Sequence, residues 1–276
     1  MAYPDGRPNL DTPEVRLLRL RVFEPIALSL ALVETPEAAS PRAALAWARK
    51  HDFAWVQLDA TQKGIRPREL DGSARRDLAA TASRTGVRIS GLDLWVPPEH
   101  FLQNETVDRA VSAVVDAAGL LGDLVNLGAA PMGTPVSILL PDGVASSVVA
   151  AIDAAADKAG VLIADHAVEP ATGAGIDPAL HLMAGRDPTE AVAGKNSGLA
   201  VGGGLVAARL SDANAMGRCA VGSGKLEVLS YAVALSTAEW RSTVTVDVRG
   251  LPDSRVGVAR AVEAWRDATT MPTDFS

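Results

Sequence analysis

Cysteine is almost absent. Cys219 is the only one in 276 residues, so no internal disulfide can form and cysteine-based metal clusters are excluded. Aromatic residues are scarce too, at 4%, although 48% of the chain is hydrophobic. Ala, Val, Leu and Gly dominate, which suits helices packed closely on a buried sheet. Positive charge is in deficit. The 26 Lys and Arg face 33 Asp and Glu for a net charge of −7, which leaves no basic footprint for nucleic acid. No apolar run reaches the ~18 residues that a membrane span needs. The opening MAYPDGRPNLDTPEVRLLRLR places acids, prolines and glycine before any apolar stretch, unlike a signal peptide. The expectation is a cytoplasmic protein without membrane or nucleic-acid partners. An N-terminal extension would cover residues 1–25 and a single domain 26–270.

What the chain does have is alternation. Short apolar runs are expected as strands at 26–31 (IALSLA), 54–59 (AWVQLD), 87–94 (VRISGLDL), 137–140 (SILL) and 161–165 (VLIAD). Three more follow at 173–177 (GAGID), 205–211 (LVAARLS) and 242–248 (STVTVDV). Helical patterns separate most of them: PRAALAWARKH is opened by Ser40 and Pro41, and RELDGSARRDLAATASRTG is closed by Gly86. Eight strand–helix units in about 250 residues predict an α/β fold, a (β/α)8 TIM barrel. A doubly wound sheet would want a glycine-rich turn after its first strand, and LALVETPEAA has none. Only seven residues lie between Asp165 and Gly173, too few for a helix, so the fifth helix is expected to be irregular or missing. The stretch GKNSGLAVGGG (194–204) reads as a long loop, since its glycines lack a phosphate-cradle spacing.

Barrel enzymes carry their chemistry at the carboxyl ends of the strands. Counting alternate residues, Thr243, Thr245, Asp247 and Arg249 share an inward face, as do Ala207, Arg209 and Ser211. The same count groups Trp55, Gln57 and Asp59; Ile89, Gly91 and Asp93; and Val161, Ile163 and Asp165. Acids converging on one rim repel one another unless a cation or arginine compensates them. The plainer reading of each Asp is a helix cap, strongest for Asp177 because Pro178 follows it. His166 falls opposite Asp165 and reads as a packed or surface residue; His51, His100 and His181 have no metal-ligand spacing.

These stretches resemble the xylose isomerase-like TIM barrels, the broad sugar isomerase/epimerase family. FAWVQLDA is similar to the family's second-strand "FDGVEL", VLIADHA to its fifth-strand Glu-Asn-His ending, and IDPALHLMAGRDP to "LDTGHALLAGEDP". ARLSD with VGSGKLEVLSYAVAL resembles "HLKD … GEGEIDF", and TVTVDVRG resembles "LVLEV". The resemblance spans about residues 26–268. It implies that Asp165 and Asp247 are the metal-binding and proton-moving acids, with Asp177 a further ligand. The family's seventh-strand histidine falls on Arg209, its sixth-strand histidine on Leu180, and its second-strand glutamate on Gln57. Arginine has only donors and cannot ligate a cation.

The reading thus expects catalysis by Asp165 and Asp247, the family's acids, with Arg209 in place of its histidine, and takes Gln57, Asp59, Asp93 and Arg249 from the strand-end count as substrate-binding residues. A divalent Mn, Mg or Zn on Asp165, Asp177 and Asp247 would be weak or absent. Two functions follow. One is a sugar or sugar-acid isomerase/epimerase that moves a proton beside a carbonyl. The other is a catalytically degenerate barrel that binds a small anionic ligand or a partner subunit without turnover. Zinc endonucleases of the same fold are excluded by the missing histidines and the acidic charge. In the expected geometry Asp165 faces the pocket and pairs with Arg209, while His166 faces away. Oligomeric state is not legible.

Overall fold

The computed structural model describes residues 26–31, 40–194 and 204–270. The expected N-terminal extension and most of the 194–204 loop lie outside these residues. Eight parallel strands close into a barrel: β1 (Leu28–Ala31), β2 (Trp55–Asp59), β3 (Arg88–Asp93), β4 (Pro135–Ile138), β5 (Leu162–Asp165), β6 (Ala174–Ile176), β7 (Leu205–Leu210) and the last strand, Val244–Val246. Between β7 and that strand lies a two-stranded antiparallel hairpin, β8 (Asp212–Asn214) and β9 (Gly217–Cys219), so the last barrel strand is β10. The hairpin was not expected from the sequence. Around the barrel run α1 (Pro41–Lys50), α2 (Gly72–Thr85), α3 (Val107–Asn126), α4 (Ser146–Ala159), α5 (Pro178–Met183), α6 (Pro188–Ala193), α7 (Val228–Thr237) and α8 (Ser254–Thr269). No helix forms between β5 and β6, as the seven-residue gap requires. Among the described residues no helix is long and apolar enough to cross a membrane.

Strand pairing separates two layers of side chains. In register, Leu30 meets Val246 and Val56, Leu92 meets Leu58 and Val136, and Val136 meets Ile163. These residues face the helices and form the main apolar core with Leu45, Leu78, Val114, Leu121, Ile152, Tyr231 and Trp265. The opposite face, turned into the barrel, is small or polar. Ser29 pairs with Thr245, and Thr245 with Arg209; Gly175 pairs with Ala207. Alanine in the helices permits close contact. At Gly122 of α3, a Cβ would stand 2.7 Å from the carbonyl oxygen of Ala159 in α4.

Helix ends follow local chemistry. The Ser40 side chain accepts from the Ala43 amide and Asp71 from Ala74, while Gly86 (φ 68°) closes α2 in the left-handed conformation that favours glycine. The Trp265 indole in α8 donates to the Ile26 carbonyl at 3.2 Å, tying the last helix to the entry of the first strand. One expected face is wrong in part. The β2–β3 register shifts between Val56 and Gln57, so Ser90 is the extra residue: Ile89 joins the outer face while Gly91 and Asp93 face inward.

Candidate functional site

At the carboxyl ends of the strands, three arginines and three aspartates interlock. Arg209 ends its side chain between three carboxylates. Its Nη1 donates to Asp177 Oδ2 (3.4 Å) and Asp247 Oδ2 (3.3 Å), and its Nη2 to Asp93 Oδ1 (2.9 Å). Arg249 donates from Nε to Asp247 Oδ1 at 2.7 Å, and from its two Nη atoms to Asp93 and Asp247. Arg218, carried by β9, donates from Nη1 to Asp247 Oδ2 at 3.3 Å and from Nη2 to Asp177. The Trp95 ring covers the cluster, with the Arg249 guanidinium carbon 4.0 Å and that of Arg209 5.6 Å from its centroid.

Burial sharpens these interactions. Arg209 is 2% exposed, and Asp93, Asp177 and Asp247 are all buried. For Asp247 burial works against the charge, but Arg249, Arg209 and Arg218 outweigh it and hold the carboxyl well below the usual carboxylate range. Asp93 goes the other way: burial raises its pKa and the pull of Arg209 and Arg249 does not fully compensate. Burial also opposes the charges of Arg249 and Arg218, yet the facing aspartates push both guanidinium pKa values up.

Of the residues singled out in the sequence, the structure joins Asp93, Asp177, Arg209, Asp247 and Arg249. Asp177 is not a side-chain cap of α5. Its Oδ1 accepts from Ser211 Oγ at 2.6 Å, and Ser211 Oγ instead accepts the Ala179 amide at 3.0 Å. Asp59 stays at the rim and turns to its own loop, where Oδ1 accepts from the Thr61 amide (2.7 Å) and hydroxyl (2.6 Å). Leu180 lies on α5, half-buried.

The expected arrangement of Asp165 and His166 is reversed. Asp165 is in register with Ile138 on the outer face. Its Oδ1 accepts from the Leu140 and Ala167 amides, both at 3.0 Å, and its Oδ2 from the Ala171 amide at 2.8 Å. It forms no ion pair with Arg209, whose carboxylate partners are Asp93, Asp177 and Asp247. The physical reason is size: Ile163 belongs among the apolar side chains under the helices, so Ala164 and His166 take the inner face. The His166 ring lies against Gly175, where a Cβ would come within 2.6 Å of it. Its Nε2 meets Ser137 Oγ at 3.1 Å, and Ser137 Oγ accepts from Gln57 Nε2 at 2.8 Å. Burial, reinforced by the charges of Arg209, Arg249 and Arg218, depresses the imidazole pKa well below its ordinary value.

Sequence reasoning missed Arg218, Trp95, Ser137 and the inward His166. Ala164 between two larger residues was the available signal for His166; Arg218 sits on strands too short to show alternation. A separate open groove of about 450 Å³, lined by Arg42, Asp77, Thr81, Arg84 and Thr85, lies on α1 and α2 rather than at the strand ends.

A divalent cation does not fit this mouth. Arg209 and Arg218 both bridge Asp177 Oδ2 and Asp247 Oδ2, so the oxygens that would coordinate a metal already face two guanidinium charges. Among the described residues no group of three or more His, Cys, Asp or Glu is placed to hold a metal ion.

Comparison with protein-family models gives no match, and comparison with curated proteins gives none either. Solved structures do match over most of the chain. A xylose isomerase domain protein from Planctomyces limnophilus is 16% identical, with 90% of this chain and 98% of that one covered and a TM-score of 0.61. A D-tagatose 3-epimerase-like protein is 14% identical (88% and 98% covered, TM-score 0.65). L-ribulose 3-epimerase is 12% identical (88% and 95% covered, TM-score 0.63). The chain therefore has the xylose isomerase-like TIM barrel fold.

Proposed function

We propose that the barrel mouth binds a small anionic sugar derivative, of the sugar-acid class, and that arginine replaces the divalent cation there. The observation that carries this reading is the interlocked Arg209–Arg218–Arg249 cluster. Each guanidinium offers five N–H donors, and the three aspartates engage only part of them. Arg218 and Arg249 keep unused donors and are the members of the cluster with exposed side-chain surface, at 19% and 18%. A ligand that brings acceptor oxygens, a carboxylate above all, satisfies them by charge-assisted hydrogen bonds. Trp95, 36% exposed, supplies an apolar wall on which the C–H face of a sugar chain can lie. The names of the similar structures, two of them sugar 3-epimerases or like them, support a sugar-type ligand.

Turnover by proton transfer is the second reading, and the mouth is poorly equipped for it. Three guanidiniums stabilise the ionised form of Asp247 so strongly that it accepts a proton reluctantly, and Asp93, whose pKa burial raises, is tied to Arg209 and Arg249. Titration calorimetry with D-gluconate in the presence of a chelator tests the binding reading. Binding is expected without metal, weakened by about 10- to 100-fold in Arg218→Gln, the range of one charge-assisted hydrogen bond. Exchange of the α-hydrogens of ketoses with deuterated water is expected not to occur; observed exchange would replace the binding reading with the isomerase one.

A further inference from the structure

We infer that the buried row Gln57–Ser137–His166 is a hydroxyl-reading subsite beside the arginine cluster, which assigns recognition of the sugar acid's hydroxyls to these three residues and leaves its carboxylate to the arginines. The inference rests on the mouth-binding reading and deepens it. Within the row, Ser137 Oγ joins Gln57 Nε2 to His166 Nε2. Among the described residues, two polar atoms of the row, Gln57 Oε1 and His166 Nδ1, and one of the cluster, Arg209 Nε, have no hydrogen-bond partner. Their residues are 3%, 1% and 2% exposed, and buried polar groups without partners are uncommon. Row and cluster adjoin, since Asp93 pairs in register with Ser137 and accepts from Arg209.

The chemistry of the unpartnered atoms selects the group that completes them. Gln57 Oε1 only accepts and Arg209 Nε only donates, while His166 Nδ1 does one or the other according to its tautomer. A carboxylate, which only accepts, leaves Gln57 Oε1 unmet. An ammonium, which only donates, leaves Arg209 Nε unmet. A hydroxyl both donates and accepts and so serves either. The row is held in place by close backbone approach, because a Cβ at Gly91 would stand 3.1 Å from Gln57 Nε2 and one at Gly175 would collide with the His166 ring. With its imidazole kept neutral, the row adds no charge of its own, so charge recognition stays with Arg218 and Arg249.

Three probes separate the two subsites: D-gluconate (carboxylate and hydroxyls), hexanoate (carboxylate alone) and D-glucitol (hydroxyls alone). Calorimetry on the full-length protein is expected to give gluconate at least ~10-fold tighter than hexanoate, because a site built to bond hydroxyls penalises an analogue lacking them. In Gln57→Leu that ratio should fall toward one while hexanoate affinity is unchanged. Ser137→Ala gives the same readout if Gln57→Leu fails to fold. Equal affinity for gluconate and hexanoate in the wild type, or an unchanged ratio in a folded row variant, overturns the inference and leaves the mouth reading intact. Glucitol binding as tightly as gluconate overturns the anion reading and retains the hydroxyl subsite. If none of the three binds, both fall.

Discussion

Placing a proton on His166 puts a charge into a dry site beside Arg209, Arg249 and Arg218, and the folded state resists it. The unfolded chain takes that proton at the ordinary histidine pKa of about 6.5. The folded pKa is depressed, so below that pH the unfolded state binds more protons, and stability falls as pH drops from 7 toward 5. Denaturant unfolding across this window should show the slope, and His166→Gln should flatten it. Asp247 acts on a lower window. Its folded pKa is also depressed, so its stabilisation is present above about pH 4 and is lost as pH falls further. Arg209 tests the cluster itself. Arg209→Met leaves Asp93, Asp177 and Asp247 short of a buried cation and should cost about 3–5 kcal/mol in chemical unfolding. Arg209→Lys should recover only part of this, since one ammonium lacks the fork that reaches three carboxylates. Arg209, Asp247 and Arg249, half of the cluster, were legible from alternation in β7 and β10, where valines and leucines marked the outer face. Applying that same rule to Val161 and Ile163 would have turned Asp165 outward.

Among the elements, β5 and β6 meet where the His166 ring lies on the backbone of Gly175. Gly175→Ala should therefore displace the ring and cost about 1–3 kcal/mol. Combined with His166→Ala it should cost less than in the wild type; strict additivity in a double-mutant cycle would show that the two do not touch. The β8–β9 hairpin depends on a different anchor. Asp212 Oδ1 accepts from the Ala213 and Leu226 amides, and Oδ2 from Gly222 and Gly224, at 2.8–3.1 Å. Asp212→Ala removes all four, so amide hydrogen exchange over residues 217–226 should accelerate and Arg218 should lose its fixed position. Nothing in DANAMGRC announced this hairpin, because strands of three residues are too short to display a period of two. The acid that organises it reads like any strand-end aspartate.

At the scale of the whole molecule, the barrel was legible because its outer face is a repeated apolar signal in every unit. The site was less so, since it depends on which side chains cross the interior to meet, as Arg209 meets Asp93 from a distant strand. The built-in cations make a thermal prediction. A ligand that binds the folded state raises its melting temperature by mass action, so millimolar Mn²⁺, Mg²⁺ or Zn²⁺ should leave the transition where it is while D-gluconate raises it. A metal-dependent rise would refute the replacement of metal by arginine.

The helix missing after β5 leaves a seam in the wall. Asp165 and Ala174 are the single registered pair between β5 and β6, and the chain between them is partly exposed at Glu169 and Ala171. The Asp165 carboxylate gathers the amides of Leu140, Ala167 and Ala171 there, doing for this crossing what a helix does elsewhere. The protein is thus built as two arcs, one ending at β5 and the other beginning at β6, closed against each other along the short β5–β6 border and the β1–β10 pairing. Fragments 1–168 and 169–276, expressed together, should therefore find each other and rebuild the barrel, whereas a cut inside α3 should leave two chains that do not reassemble.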